Sequence, residues 1–181
     1  MAGFDGLTAG TWKVDAVHSN VGFRVRHMMV SKVNGNFTGV DGTIEVAEDG
    51  ATKITAKIDA STINTNNAQR DQHIASKDFF HAEEFPTIDF VSTEVKGSGE
   101  DAEVTGDLTI HGNTRPVTLK GSFFGVHQGN EQSGAVAGFE AEGKISRKDF
   151  GIDFEMPLEG GGSVIGDQIT IILDIEAAKA E

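Results

Sequence analysis

The chain of 181 residues contains no cysteine and carries little positive charge. Without cysteine it can form no disulfide, thiolate nucleophile or cysteine-ligated metal site. Its 15 lysine and arginine residues face 28 acidic residues, which gives a formal net charge of −13. Binding to nucleic acid requires clustered positive charge, so this balance argues against a nucleic-acid partner and disfavours anionic membrane surfaces.

Long hydrophobic runs are also lacking. Apolar stretches such as Ile171-Ile172-Leu173 fall far short of the ~20 residues that a membrane-spanning helix needs, so no stable membrane insertion is expected. The first residues, MAGFDGLTAGTW, show neither the basic start nor the apolar core of a secretory signal. We therefore expect a cytoplasmic protein.

The chain is rich in glycine and in segments where apolar and polar residues alternate. The 23 glycines exceed the average share of ~7%, and they fall at strand ends and within strands, where turns, bulges and barrel bends need them. Apolar and polar residues alternate along most of the chain, as in half-buried strands. The predicted strands are residues 11–15, 20–27, 37–46, 53–60, 88–96, 103–111, 117–126, 137–145 and 169–176.

The strands follow one another without helical crossovers. This order predicts an all-β, antiparallel barrel of about eight strands in a single domain, residues 1–181. Several positions expected on the inner face are small: Ala56, Gly106, Gly121, Ala137, Ala141 and Gly143. Small inward residues favour a cavity, which a barrel of ~8 strands can hold. Tight packing or strand coiling is the alternative explanation for them.

Residues 66–80, NNAQRDQHIASKDFF, form the one segment that does not alternate. Thr65 or Asn66 is a suitable N-cap for a short helical insert. Within that helix Asn66, Arg70 and His73 share one face. Asp71 points elsewhere, which argues against a catalytic Asp71–His73 pair.

Two aromatic residues, Phe79 and Phe80, follow this polar cluster directly. Such an arrangement suits the mouth of an apolar cavity better than a core. A structural role, in which Arg70 or Asp71 fastens the insert to the barrel, is the alternative.

Signs of nucleophilic catalysis, metal binding or phosphate binding are weak. Asp15, His18 and Ser19 match a catalytic triad in type only, because neighbouring residues of a strand point to opposite faces. Residues 160–162 are three glycines in an acidic setting and read as a flexible loop. No HxH or HExxH spacing occurs among the histidines, so no metal ion is expected. Because the triad residues match in type only, no catalytic group is expected either. The six histidines are His18, His27, His73, His81, His111 and His127.

A set of ordered motifs resembles the YceI family of bacterial, lipocalin-like, polyisoprenoid-binding proteins over nearly the whole chain. In order, the motifs are Trp12-Lys13-Val14-Asp15, His18-Ser19, Phe23-Arg24-Val25-Arg26-His27, Gly35-Asn36-Phe37, Thr65, Arg70-Asp71-Gln72-His73, Asp78-Phe79-Phe80, Phe85-Pro86-Thr87-Ile88-Asp89-Phe90, Gly106-Asp107-Leu108-Thr109-Ile110-His111-Gly112, Arg115-Pro116-Val117, Arg147-Lys148-Asp149-Phe150-Gly151 and Gly166-Asp167. The order and spacing of these motifs are more specific to the family than any single motif is.

This resemblance implies an eight-stranded lipocalin-like barrel with a helical insert and an apolar tunnel that holds a long isoprenoid chain. It also implies a homodimer as one assembly. Many relatives are periplasmic or secreted, whereas no secretory signal is expected from the first residues of this chain. With the alternation it predicts a ligand-binding set: Phe23, Val25, His27, Arg70, His73, Phe79, Phe80, Phe90, Leu108, Ile110 and Phe139. In that set Phe79 and Phe80 would form the rim, and Arg70 and His73 would meet a polar head group.

Two functions from different classes follow. The first is a binding protein, without enzymatic activity or cofactor, that stores, transports or sequesters a polyprenol or polyprenyl quinone. The second is an enzyme acting on a lipophilic isoprenoid, with Asp71, His73 or His27 as acid–base groups. The sequence favours the first, because no acid–base pair has assured geometry.

Overall fold

The computed structural model describes residues 4–156, 158–160 and 164–180. This part of the chain holds eleven strands and one short helix, α1 (Ala68–Ala75). The strands are β1 (Gly10–Val14), β2 (Asn20–His27), β3 (Ser31–Phe37), β4 (Val40–Val46), β5 (Thr52–Asp59), β6 (Ile63–Asn64), β7 (Thr87–Ser98), β8 (Asp101–Ile110), β9 (Asn113–His127), β10 (Val136–Ser146) and β11 (Ile165–Lys179). Two 3₁₀ turns, Ala60–Thr62 and Arg147–Phe150, follow β5 and β10.

Eight of these strands close into an antiparallel barrel. Their order around the ring is β1–β4–β5–β7–β8–β9–β10–β11, and a pairing of β11 with β1 completes it. At this seam Trp12 lies opposite Lys179 and Val14 lies opposite Ala177. The prediction of an all-β antiparallel barrel of about eight strands with a short helical insert is confirmed.

Strands β2, β3 and β6 extend the sheet beyond the ring. One edge of β11 pairs with β2 between Ile165 and Asp174, and only after that with β1. The predicted strand 37–46 is wrong in its continuity, because the chain leaves the sheet at Gly39. The Gly39 N–H donates to Thr62 Oγ1 at 3.0 Å, and its carbonyl accepts from Asp59 at 2.8 Å. Strand β3 was not predicted, since SKVNGNF is largely polar.

One end of the barrel is filled by a cluster around Trp12, which is fully buried. The Trp12 indole N–H donates to the Thr8 carbonyl at 3.0 Å, as a buried indole requires. Phe4, Phe123 and Phe139 meet beside it with ring centroids 4.9–5.6 Å apart. Aromatic packing therefore closes this end.

The small inward residues do not all leave space. A Cβ on Gly106 would lie 2.5 Å from the Phe90 ring, and a Cβ on Gly143 would lie 2.5 Å from the Leu119 side chain. Large neighbours thus lie over these two glycines, and the tight-packing explanation holds for them. The expectation that they open a cavity is wrong, although a cavity exists elsewhere on the same inner face.

The N-cap of helix α1 lies one residue after Asn66 and two residues after Thr65, the two predicted caps. Asn67 is the N-cap, and its side-chain oxygen accepts from the Arg70 N–H at 3.0 Å. Asn66 has φ of +62° and lies outside the helix, so it does not share a face with Arg70 and His73. Among the described residues, no helix has the length and apolar character needed to cross a membrane.

Candidate ligand-binding cavity

An apolar cavity of about 440 Å³ runs inside the barrel. Strands from every part of the ring supply its wall, and valine, isoleucine, leucine and phenylalanine predominate there. The strands place these side chains inward because the inner face of each strand carries every second residue. The cavity is thus a direct product of the alternation seen in the sequence.

All eleven residues of the predicted ligand-binding set line this cavity. Phe139 lies toward the closed end, since its ring contacts Phe4 and Phe123. Phe23 and Phe80 lie toward the other end, each against Phe37, with centroids 6.0 and 5.7 Å apart. The structure shows that the set shares one cavity, while contact with a ligand stays a prediction.

Residues Arg70 and Asp71 fasten α1 to the chain before it. The Arg70 guanidinium donates to Thr65 Oγ1 at 2.8 Å and to the Thr65 carbonyl at 2.7 Å. The Asp71 carboxylate accepts from the Thr65 N–H at 2.8 Å and from its hydroxyl at 2.6 Å. Thr65 is buried, so these contacts fix the helix start. Arg70 still lines the cavity, whereas Asp71 serves the structural role.

The carboxylate partner of His73 is Asp78, which the sequence did not indicate. Their side chains meet at 2.9 Å between Nε2 and Oδ2, and both are partly exposed. The His73 ring also packs edge-on against Phe79 and Phe154, with centroids 5.1 and 5.4 Å apart. Phe79 itself is buried in the core, so it belongs to the wall rather than to an exposed rim.

Arg147 belongs to one of the family motifs, but the predicted ligand-binding set did not include it. Arg147 is 4% exposed and lines the cavity. Its guanidinium donates to the carbonyls of Gly166, Ile152 and Ile165 at 3.0, 2.9 and 3.4 Å. Within the part of the chain that the structure describes, no carboxylate lies within 4 Å of it. Three backbone carbonyls stabilise this buried charge at hydrogen-bond distance.

A separate polar cluster lies at the barrel seam, where Asp15, His18 and Glu176 meet. His18 Nδ1 is 2.7 Å from Asp15 Oδ2 and 3.4 Å from Glu176 Oε2. Hydrogen bonding with Asp15 and the nearby negative charges raise the pKa of His18, and the same hydrogen bond lowers the pKa of Asp15. The Ser19 hydroxyl donates to the Glu176 carbonyl instead of His18, so no Ser–His pair forms.

Comparison with known proteins identifies the family of this barrel. The YceI-like domain family matches residues 12–177. The chain belongs to the YceI-like family. Protein YceI of Escherichia coli O17:K52:H18 is 38% identical over 176 residues, which cover 94% of this chain and 88% of that protein.

Solved structures share the YceI-like fold. Burkholderia cenocepacia BcnA superposes with a TM-score of 0.75 at 23% identity, covering 91% of this chain and 99% of BcnA. A polyisoprenoid binding domain from Saccharophagus degradans, implicated in plant cell wall breakdown, superposes with a TM-score of 0.67 at 13% identity. That match covers 93% of this chain and 98% of the domain. At these identities the two structures show the fold.

Proposed function

We propose that this YceI-like protein binds a long isoprenoid lipid, of the polyprenol or polyprenyl-quinone type, for storage, transport or sequestration. The observation that carries the proposal is the apolar cavity of about 440 Å³ inside the barrel. Sites for small ligands measure roughly 300–1,000 Å³. The fold match to a polyisoprenoid binding domain from Saccharophagus degradans supports the same ligand class.

The energetics of such a ligand need no elaborate polar site. Burial stabilises each CH₂ group by about 0.8 kcal/mol, and the ordering of each torsion offsets part of that gain. At about −0.3 kcal/mol per heavy atom, a forty-carbon chain reaches roughly −12 kcal/mol, which corresponds to nanomolar affinity. Selection would then depend on the length and width of the chain more than on its chemistry.

The polar end of the ligand would lie near α1. Arg70 and His73 line the cavity there, and both are partly exposed. A hydroxyl, carbonyl or phosphate group can accept from either side chain. The opposite end is closed by the rings of Phe4, Phe123 and Phe139, which suits the apolar terminus.

The contacts of Asp71 disfavour the alternative of an acid–base enzyme. Both described contacts of its carboxylate are to Thr65, not to His73. The pair that does form, His73 with Asp78, contacts two phenylalanine rings. We propose a binding protein without turnover.

The test is extraction and reloading of the purified protein. Native mass spectrometry and organic extraction should show a bound isoprenoid, or uptake of an added polyprenol or quinone. Phe90→Asp, which puts a charge on the wall, should abolish uptake, whereas Phe124→Asp on the exposed surface should not. Ala56→Phe, which narrows the cavity without adding charge, should shorten the longest chain retained. A folded wild-type protein that takes up neither lipid contradicts the proposal.

A further inference from the structure

An apolar tip protrudes at the turn between β2 and β3. Met28, Met29 and Val30 are 46%, 50% and 89% exposed. Together with Met156, which is 48% exposed, they account for most of the exposed large apolar side chains of the described residues. We name these four residues the portal patch. Clustered exposed apolar side chains mark contact surfaces, whereas scattered ones do not.

The backbone of this turn does not explain the methionines. Met28 and Met29 have φ of +52° and +66°, and the Val30 N–H donates to the His27 carbonyl at 3.3 Å. Positive φ at both central residues is the pattern of a type I′ hairpin turn, for which Asn-Gly is the favoured pair. Two methionines here are unfavourable for the backbone and for exposure to water. Their presence points to a role in contact.

Positive charge lies on the β2–β3 side of the portal patch. Residues 16–40 contain no aspartate or glutamate, although the whole chain carries 28 acidic residues. Arg26 and Lys32 lie opposite each other just below the turn, and Arg24 follows on β2. The segment around Met156 carries Asp153, Glu155 and Glu159, and Glu155 forms an ion pair with Lys148. The β2–β3 hairpin is therefore positively charged, although the whole chain is strongly negative.

The portal patch also borders the cavity. Val164 joins its two parts, because the Val164 N–H donates to the Met156 carbonyl at 2.9 Å and its own carbonyl accepts from Met28 at 2.8 Å. Met156, Val164 and the neighbouring His27 all line the cavity. Since Met156 is both half exposed and a wall residue, the cavity reaches the surface beside the tip.

We propose that the portal patch docks on a bilayer that contains anionic lipid, so that the cavity opens toward the membrane. The apolar tip would lie at the boundary between head groups and acyl chains, and Arg26 and Lys32 would face the phosphates. This inference rests on the proposed function, because a lipid ligand gives the orientation its purpose. It is a surface contact without a spanning segment.

A second copy of the chain fits the portal patch less well. Stable protein interfaces bury about 800 Å² on each partner, and four side chains, three of them on a narrow turn, offer much less. A partner copy would also bring a formal net charge of −13 spread over its whole chain. That charge does not select any apolar surface of the partner to receive the tip. A bilayer accepts a small convex apolar tip without shape complementarity.

Vesicle co-sedimentation tests the inference. We expect the wild-type protein to bind vesicles of equal parts phosphatidylcholine and phosphatidylglycerol, less at high salt and less to phosphatidylcholine alone. Met28→Asn combined with Met29→Gly installs the favoured turn residues and removes the apolar side chains, so it should fold at least as well and bind about tenfold less. Lys32→Glu should weaken binding to anionic vesicles selectively.

Matched controls distinguish vesicle binding through the portal patch from nonspecific binding by other exposed apolar residues. Val17→Asn and Phe124→Asn change exposed apolar residues outside the portal patch and should leave vesicle binding unchanged. Equal binding by wild type and the Met28→Asn, Met29→Gly variant overturns the inference. So does a wild-type dimer, by analytical ultracentrifugation, that the variant converts to a monomer without any vesicle binding.

Loading from solution distinguishes failure of this inference from failure of the proposed function. Wild type and the double variant should take up polyprenol equally from ethanol solution, and only wild type should take it up rapidly from vesicles. Vesicle binding without any uptake contradicts the proposed function and leaves the docking surface standing. Uptake from solution without vesicle binding contradicts the docking surface alone.

Discussion

His73 Nε2 lies 2.9 Å from Asp78 Oδ2, while Asp71, two residues before His73, is bound to Thr65. The polar insert thus contains two separate units. One unit fastens the start of α1 to the barrel, and the other joins the end of α1 to the loop that follows. Changes to the two aspartates should therefore have different consequences.

Asp71→Ala should lower the free energy of unfolding by about 1–3 kcal/mol, because it leaves the buried N–H of Thr65 without its acceptor. Urea denaturation followed by circular dichroism measures this change. Glu83→Ala, at an exposed position in the loop after α1, is the matched control and should be near neutral. Equal stability of the Asp71→Ala and Glu83→Ala proteins would show that the Thr65 contacts are not stabilising.

Gly106→Ala should destabilise the barrel by about 1–3 kcal/mol through overpacking. Its Cβ would lie 2.5 Å from both the Phe90 ring and the Val91 carbonyl oxygen, and the backbone atom cannot rotate away. Thermal unfolding should show a loss of roughly 2–4 °C for each kcal/mol. Gly138→Ala is the control, because its Cβ would meet Phe124 only at 3.6 Å. If the two substitutions shift the melting temperature equally, the packing of Phe90 over Gly106 is not the cause.

The titration of His18 should depend on Asp15. Asp15 raises the pKa of His18 above its ordinary 6.5, and His18 lowers the pKa of Asp15 below its ordinary 3.8. The ion pair therefore stabilises fully between these ordinary values. Its contribution falls as pH rises through the raised pKa of His18, and also as pH falls through the lowered pKa of Asp15.

Proton NMR of the imidazole measures this dependence directly. Asp15→Asn should return the pKa of His18 toward 6.5. Glu176→Gln should lower it less, because Glu176 acts only through its charge at 3.4 Å. A pKa of His18 that Asp15→Asn leaves unchanged would contradict the pairing.

Much of the barrel could be predicted because its strands alternate. Strand β2 has the predicted bounds, and the eleven predicted site residues line one cavity. Alternation alone decides which face of a strand is inward, so it identifies wall residues without any knowledge of pairing. It does not distinguish a side chain that borders empty space from one that covers a glycine, as Phe90 does over Gly106.

Contacts made through loops could not be predicted. Asp78 reaches His73 only because the chain turns back after α1, and Arg147 is buried only because three carbonyls from other segments surround it. The motif around Arg147 was a signal of its importance but not of its place in the wall. The cytoplasmic location and the homodimer stay predictions.

The seam between β1 and β11 has a consequence for folding kinetics. Trp12 and Lys179 pair across almost the whole chain length, so the ring closes through contacts of very large sequence separation. Such contacts form late and slowly, because loop-closure entropy opposes them until the rest of the sheet is in place. Until the ring closes, the edge of β1 and that of the last residues of β11, 177–179, are unpaired, and unpaired strand edges are templates for aggregation.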